Sequence, residues 1–179
     1  MCNDGYVCKN VDLFLPSTGY EFHFPFLDQN VFGGLVTNQG RLVTNLYKHM
    51  FYIPEPSLCF IGVPLTVAPL PLIYQQCAFA ARVLTGEKEL PSQQVMLDEL
   101  NSEHESLAQR GGSVRYFHKF EMRQFEYLND LARLSDQAPI PPYISDMYEY
   151  VMSRRRTDVM DYRGDVYEVS RDGITFHVS

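Results

Sequence analysis

Few side chains in this 179-residue chain have the type and spacing to do chemistry by themselves. Its five histidines, His23, His49, His104, His118 and His177, are scattered. None stands at ligand spacing from a cysteine, so the sequence offers no zinc site. The four cysteines, Cys2, Cys8, Cys59 and Cys77, form no C-x-x-C and no regular framework, which fits a reducing compartment and a cytoplasmic protein. Cys59 and Cys77 read as small buried hydrophobes. Hydrolase motifs of the G-x-S-x-G and H-E-x-x-H kind are missing. His49 has the chemistry of a general base, yet no carboxylate stands at a fixed spacing from it, and a structural histidine is the plainer reading.

The remaining chemistry is done by backbone. From Pro56 to Ala81 the chain carries no charge: a short apolar run (Leu58, Cys59, Phe60, Ile61) stops at Gly62. Pro64, Pro69 and Pro71 punctuate the next segment, and a helical pattern then continues to Gly86. Strand, glycine, loop and helix is the order by which nucleotide-binding α/β domains bring backbone against a phosphate or flavin. The same pattern also describes a buried strand and helix that hold nothing. Prolines and glutamines in mid-stretch argue against a membrane span.

The elements that must position these residues are bounded by turn and cap signals. Asn3-Asp4-Gly5 signals a hairpin turn, Val7 lies on its partner strand, and Val11 to Leu15 reads as a buried strand that Pro16 ends. That strand delivers Ser17-Thr18-Gly19-Tyr20 at its C-terminal end. Leu72, Gln76, Ala80, Val83 and Leu84 share one helix face. Gly86 stops that helix, and Ser92 caps an acidic one over 93–110, with Val95, Met96, Leu100 and Leu107 packed and the acids solvated. Residues 114–120 read as a short strand or extended segment. A helix with Met122, Phe125, Leu128 or Asn129, Leu131 and Leu134 near one face comes next, then a stiff Pro-rich linker near Ala138. A final helix covers 142–155, and an irregular tail or two short strands surround Asp172-Gly173.

Composition sets the outer limits. Apolar residues make up 45% and charged residues 21% of the chain, the balance of a globular domain with a real core. A net charge of -7 gives no electrostatic support to nucleic-acid binding. Arg154-Arg155-Arg156 reads as a solvated helix end. The N-terminus has no signal-peptide pattern.

Several segments, in order, carry a resemblance. N-V-D-L-F-L-P-S-T-G-Y with Phe24 to Leu27 resembles the "ATGY…PFL" segment of the flavin-containing monooxygenases, with Ser17 at the family's alanine. Leu46 to Phe51 resembles "LYKHVF", and Leu58 to Gly62 resembles "LAFIG", the last strand of the family's FAD domain. Gln75 to Gly86 resembles "QxRWAAxVLxG", with Ala78 and Phe79 at the arginine and tryptophan positions, and the family's glutamine falls on Gln76. Phe125 to Leu131 resembles a later family helix.

The resemblance implies an α/β fold: the C-terminal fragment of a two-dinucleotide-binding-domain protein, with several helices after the last FAD-domain strand. It implies that residues 1–137 complete an FAD-binding domain and that residues 138–179 extend it. It implies FAD and NADPH as cofactors, with Thr18, Gly19, Gly62 and Gln76 lining the flavin side and no catalytic nucleophile or base in this chain. The implied reaction is transfer of one oxygen of O₂ to a soft nitrogen or sulfur of a small molecule. No G-x-G-x-x-G occurs, whereas the family carries two upstream of the matched segments. The expectation is therefore a chain inactive without the missing N-terminal half. A non-catalytic interaction module is the alternative.

Overall fold

The computed structural model describes residues 7, 9–171 and 175–178. The hairpin signal at Asn3-Asp4-Gly5, Cys2, Cys8 and the turn at Asp172-Gly173 lie outside them. A short helix, α1 (Gln29–Phe32), starts where the Asp28 carboxylate accepts from Asn30 N. Two antiparallel ribbons come after it. The first pairs β1 (Val36–Thr37) with β2 (Leu42–Val43), and the second pairs β3 (Leu46–Tyr47) with β4 (Phe51–Tyr52). Four helices come next: α2 (Pro69–Leu84), α3 (Gln93–Gln109), α4 (Gln124–Leu134) and α5 (Pro142–Thr157). A last ribbon joins β5 (Tyr167–Val169) to β6 (Phe176–Val178).

Local chemistry accounts for the helix bounds. Pro69 sits at the first position of α2, where its missing N–H costs nothing, and Gly86 takes φ +76 just past its end. Ser92 caps α3 by accepting from Val95 N. Residues 114–116 and 121–123 are 3-10 turns, where a short strand or an extended segment is expected over 114–120. Only Lys119 keeps a strand-like contact, a parallel bridge to Leu65.

α2 and α4 pack against each other, and α3 lies on β3. Phe51, Phe79, Leu72, Met96, Leu100, Leu128 and Leu131 fill the space between them. A second cluster (Leu35, Val43, Leu46, Phe60 and Val63) is covered by Phe22, Phe24 and Leu27. The Pro-rich linker is held at Ile140, whose N–H donates to Asn129 Oδ1 at 2.8 Å. At the end of α5, Arg154 pairs with Asp158 and Asp165 while Arg155 and Arg156 face solvent, as the helix-end reading expects.

Other expectations fail for physical reasons. Val11 to Leu15 is extended but not a strand, and Leu13, Phe14 and Leu15 are 69%, 80% and 73% exposed. A strand exists only through a ladder partner, and among the described residues none lies beside it. On α2 the buried face is Leu72, Gln75, Gln76, Phe79 and Ala80, and Leu84 is 67% exposed at the helix end. Cys77, one step around the helix from Gln76, is exposed, and of the two described cysteines Cys59 is the half-buried one. On α3, Val95 is exposed, and two of the acids are not free in solvent.

Candidate functional site

The chain reverses between β3 and β4 at Lys48 and His49. Met50 N–H donates to Tyr47 O at 3.0 Å, and both central residues hold φ +52. That is the geometry of a tight hairpin turn, which favours Gly and Asn. Side chains with a Cβ give up about 1–2 kcal/mol each to adopt it. The compensation comes from α3 and α4. Lys48 Nζ meets Glu99 of α3 and Asp130 of α4, the latter at 2.6 Å, while Lys48 O accepts from Tyr127 OH at 2.8 Å.

His49 is buried, and it is not alone. Its Nδ1 lies 2.9 Å from His118 Nδ1, and its Nε2 lies 3.0 Å from Glu103 Oε2. His118 Nε2 in turn accepts from Val43 N–H at 3.1 Å and lies 3.2 Å from Val43 O. One proton arrangement satisfies every contact of the run: His118 donates from Nδ1 to His49 Nδ1 and accepts from Val43 N–H at Nε2, and His49 donates from Nε2 to Glu103. Burial pushes the His118 pKa down to about 3, aided by the charge of His49 and opposed by Val43. Burial raises Glu103, but the hydrogen bond and charge of His49 outweigh it and hold the carboxyl below its usual range. His104 stacks on Phe117 at 4.0 Å beside them, and its pKa is lowered first by burial.

A cavity of about 400 Å³ opens at this cluster, lined by His49, Glu103, Phe117, Phe120, Arg123 and Tyr127 among others. Sequence reasoning missed His118 and Glu103 because both partners of His49 lie far off in the chain. The unusual signal was a Lys-His pair at the tip of a hairpin where glycine belongs.

Gly62 and Gln76 are brought together: Gly62 N–H donates to Gln76 Oε1 at 2.8 Å. Gln76 Nε2 donates to Tyr127 OH at 2.8 Å, and that hydroxyl donates to Lys48 O. One run of polar atoms therefore ties the glycine, α2, α4 and the Lys48–His49 turn. Gln76 is fully buried and Gly62 is exposed at φ +85, with nothing within 4 Å of where a Cβ would stand. Gly62 thus presents bare Cα to open space, with its N–H held from behind. Beside Gln76, Gln75 is 2% exposed and its Oε1 has no hydrogen-bond donor among the described residues.

Thr18 and Gly19 lie elsewhere on the surface, in the extended segment. Arg41 holds them: its Nη2 donates to Thr18 O at 3.2 Å and its Nη1 to Tyr20 O at 2.7 Å. Among the described residues, no hydrogen bond joins this segment to Gly62 or Gln76, no group of three or more His, Cys, Asp or Glu could hold a metal ion, and no helix is long and apolar enough to cross a membrane.

Comparison with known proteins bears directly on this arrangement. The family model described as flavin-binding monooxygenase-like matches residues 1–148. The chain is 41% identical over 124 residues to flavin-containing monooxygenase FMO GS-OX-like 3 of Arabidopsis thaliana, covering 69% of this chain and 27% of that protein. It is 34% identical over 157 residues to FMO GS-OX-like 4 of the same plant, covering 87% and 34%. Among solved structures, the S-allyl-L-cysteine S-oxygenase of Allium sativum superposes with a TM-score of 0.75 at 33% identity, over 88% of this chain and 35% of that one. Tmm from Pelagibacter sp. strain HTCC7211 shares the fold at TM-score 0.69 and 22% identity. The chain spans about a quarter to a third of the length of the relatives it matches. With the match running through the first two ribbons, α2, α3 and α4, the chain belongs to the flavin-binding monooxygenase-like family.

Proposed function

We propose that this chain forms the C-terminal part of an FAD- and NADPH-dependent monooxygenase that oxygenates nitrogen or sulfur of small soft nucleophiles in the cytoplasm. Residues 1–137 complete the FAD-binding domain of a two-dinucleotide-binding-domain fold, and 138–179 extend it. By itself the chain is inactive, because it carries no glycine-rich phosphate loop.

The observation that carries this reading is Gly62. Its open Cα lies at the end of the segment that bridges Cys59 to Phe51, and Gln76 fixes its peptide from below. A flat ring can approach such a backbone to van der Waals distance, and any side chain there would block it. The residues present fit one flank of a flavin. Gly62 is the contact surface, Gln76 is the buttress, and Thr18 and Gly19 contribute from the segment pinned by Arg41. The orphaned Gln75 acceptor is consistent with a donor arriving from outside this chain. Bound FAD supplies the electron transfer and the activation of O₂. This chain's own part is to hold the ring and keep water from it.

The test supplies the N-terminal portion of a family relative in trans. The expected outcome is flavin absorbance that co-elutes with the chain, and NADPH consumption, only in the mixture. A folded chain that stays indifferent to FAD and to that portion would sink the proposal. The exposed strip of Val11, Leu13, Phe14, Leu15 and Phe26 favours a second reading, a non-catalytic module that docks through it. Complex formation without bound flavin would select that alternative.

A further inference from the structure

Between Phe60 and Leu65 the backbone is anchored at a single point. Phe60 N–H donates to Met50 O at 2.9 Å, and Leu65 N–H donates to His118 O at 2.7 Å. Across the four residues between them, the one hydrogen bond among the described residues is that of Gly62 N–H to Gln76 Oε1. Gly62 sits at φ +85 with open space where a Cβ would stand. Glycine adopts either sign of φ at little cost, so this hydrogen bond, and no side chain, selects which way the peptide faces.

The polarity of that bond is decided at the far end of the run. Lys48 O can only accept, so the single proton of the Tyr127 hydroxyl is committed to it at 2.8 Å. Toward Gln76 the hydroxyl can then only accept, which places Nε2 there and turns Oε1 to Gly62. Gly62 N–H, a donor alone, makes the same demand from the other side. Exchanging the two amide atoms of Gln76 would set donor against donor at Gly62 and acceptor against acceptor at Tyr127. Burial raises the Tyr127 pKa, so the hydroxyl keeps its proton. Gln76 is wholly buried, which leaves water no access to replace either bond. Lys48 O is fixed in its turn, because Lys48 sits in the φ +52 turn with Nζ paired to Glu99 of α3 and Asp130 of α4. Orientation thus passes from α3 and α4 to the peptide of Gly62.

We infer that Tyr127 is a positioning residue for the flavin contact: its hydroxyl, held by Lys48 O, fixes the Gln76 amide so that the Gly62 peptide faces one way and presents its bare Cα. The inference rests on the proposed flavin flank, whereas the relay from Tyr127 to Gly62 is measurable in the chain alone.

The first measurement is NMR of the whole 179-residue chain. The wild type should show a scalar coupling across the hydrogen bond, between the Gly62 amide nitrogen and the side-chain carbonyl carbon of Gln76, and this needs no variant to fold. In Tyr127→Phe the Gly62 amide proton should move upfield and exchange with solvent about fivefold faster, the scale of one weakened hydrogen bond. Met96→Ala, a core truncation outside the run, should lower stability and leave the Gly62 signal in place. The second measurement adds FAD and the N-terminal portion of a family relative. There Tyr127→Phe should shift the flavin absorbance bands and weaken flavin retention about fivefold, by the same bond, while Met96→Ala leaves the bands unmoved. A wild-type chain without the coupling, or a Gly62 signal that ignores Tyr127→Phe, would overturn the inference. So would identical flavin bands and retention in the Tyr127→Phe and wild-type mixtures. A Gly62 signal that responds as expected, in a chain whose wild-type mixture takes up no FAD, would support the relay and remove the flavin reading instead.

Discussion

Tyr127 is the side chain on which three segments depend. Its ring is in the core and its hydroxyl joins Gln76 to the carbonyl of Lys48, with burial pushing its pKa up first. Tyr127→Phe keeps the ring and strands both partners. It should lower the unfolding free energy by about 1–3 kcal/mol, read as a lower urea midpoint at unchanged slope. If the run of polar atoms acts as one unit, combining Tyr127→Phe with Gln76→Met costs less than the sum of the two. His118 gives a pH signature. Its pKa is depressed to about 3 in the folded chain, so the unfolded chain binds the extra proton below the ordinary histidine range. Stability is therefore whole above about pH 6.5 and falls as the solution is acidified toward 3. His104 acts in the same direction, and Glu103 adds its loss only at lower pH. Urea midpoints at pH 7.5 and 5.5 should differ, and His118→Gln should shrink the difference. A midpoint flat across that window would show the imidazole to be solvated.

At the scale of elements, α4 carries the core. Leu128 and Leu131 are wholly buried against α2, and Leu128→Ala should cost about 2–5 kcal/mol. Leu84→Ala at the exposed end of α2 should fall within about 0.5 kcal/mol of wild type. The turn between β1 and β2 is equally specific. Gly40 sits at φ +74, and a Cβ there would lie 2.6 Å from Glu21 Cβ, so Gly40→Ala should destabilise by more than about 1 kcal/mol, the cost of the backbone alone. All three are checked by chemical denaturation. The helices were legible in the sequence because their signals are local: Pro69 and Gly86 around α2, Ser92 before α3, Pro142 at α5. The strand over 11–15 was not, because whether an apolar run pairs is decided by the backbone beside it. Gln76 was legible only through family resemblance, and its partners Gly62 and Tyr127 emerge from tertiary contact. The acids of α3 read as a solvated face until β3 is laid against them, which brings Lys48 and His49 to Glu99 and Glu103.

The molecule as a whole has a covered side and an uncovered one. The covered side holds both core clusters, and the uncovered one is the extended segment with Leu13, Phe14, Leu15 and Tyr20 facing out. Phe14→Glu should reduce light scattering and dye binding of the isolated chain without moving its urea midpoint, since Phe14 is 80% exposed. If the same change abolishes assembly with a supplied N-terminal portion, the strip is the seam between them. The polar ties have a kinetic corollary. Val43 meets His118 across 75 positions, Lys48 meets Tyr127 across 79, Ala68 meets Gln124 across 56 and Gln76 meets Tyr127 across 51. Each closes a long loop before any gain is collected, while the helices between them are quick and local. Newly made chain thus cannot set the Lys48–His49 turn until α4 has been synthesised, and in stopped-flow refolding the histidine pair should lock last, well after helical signal returns.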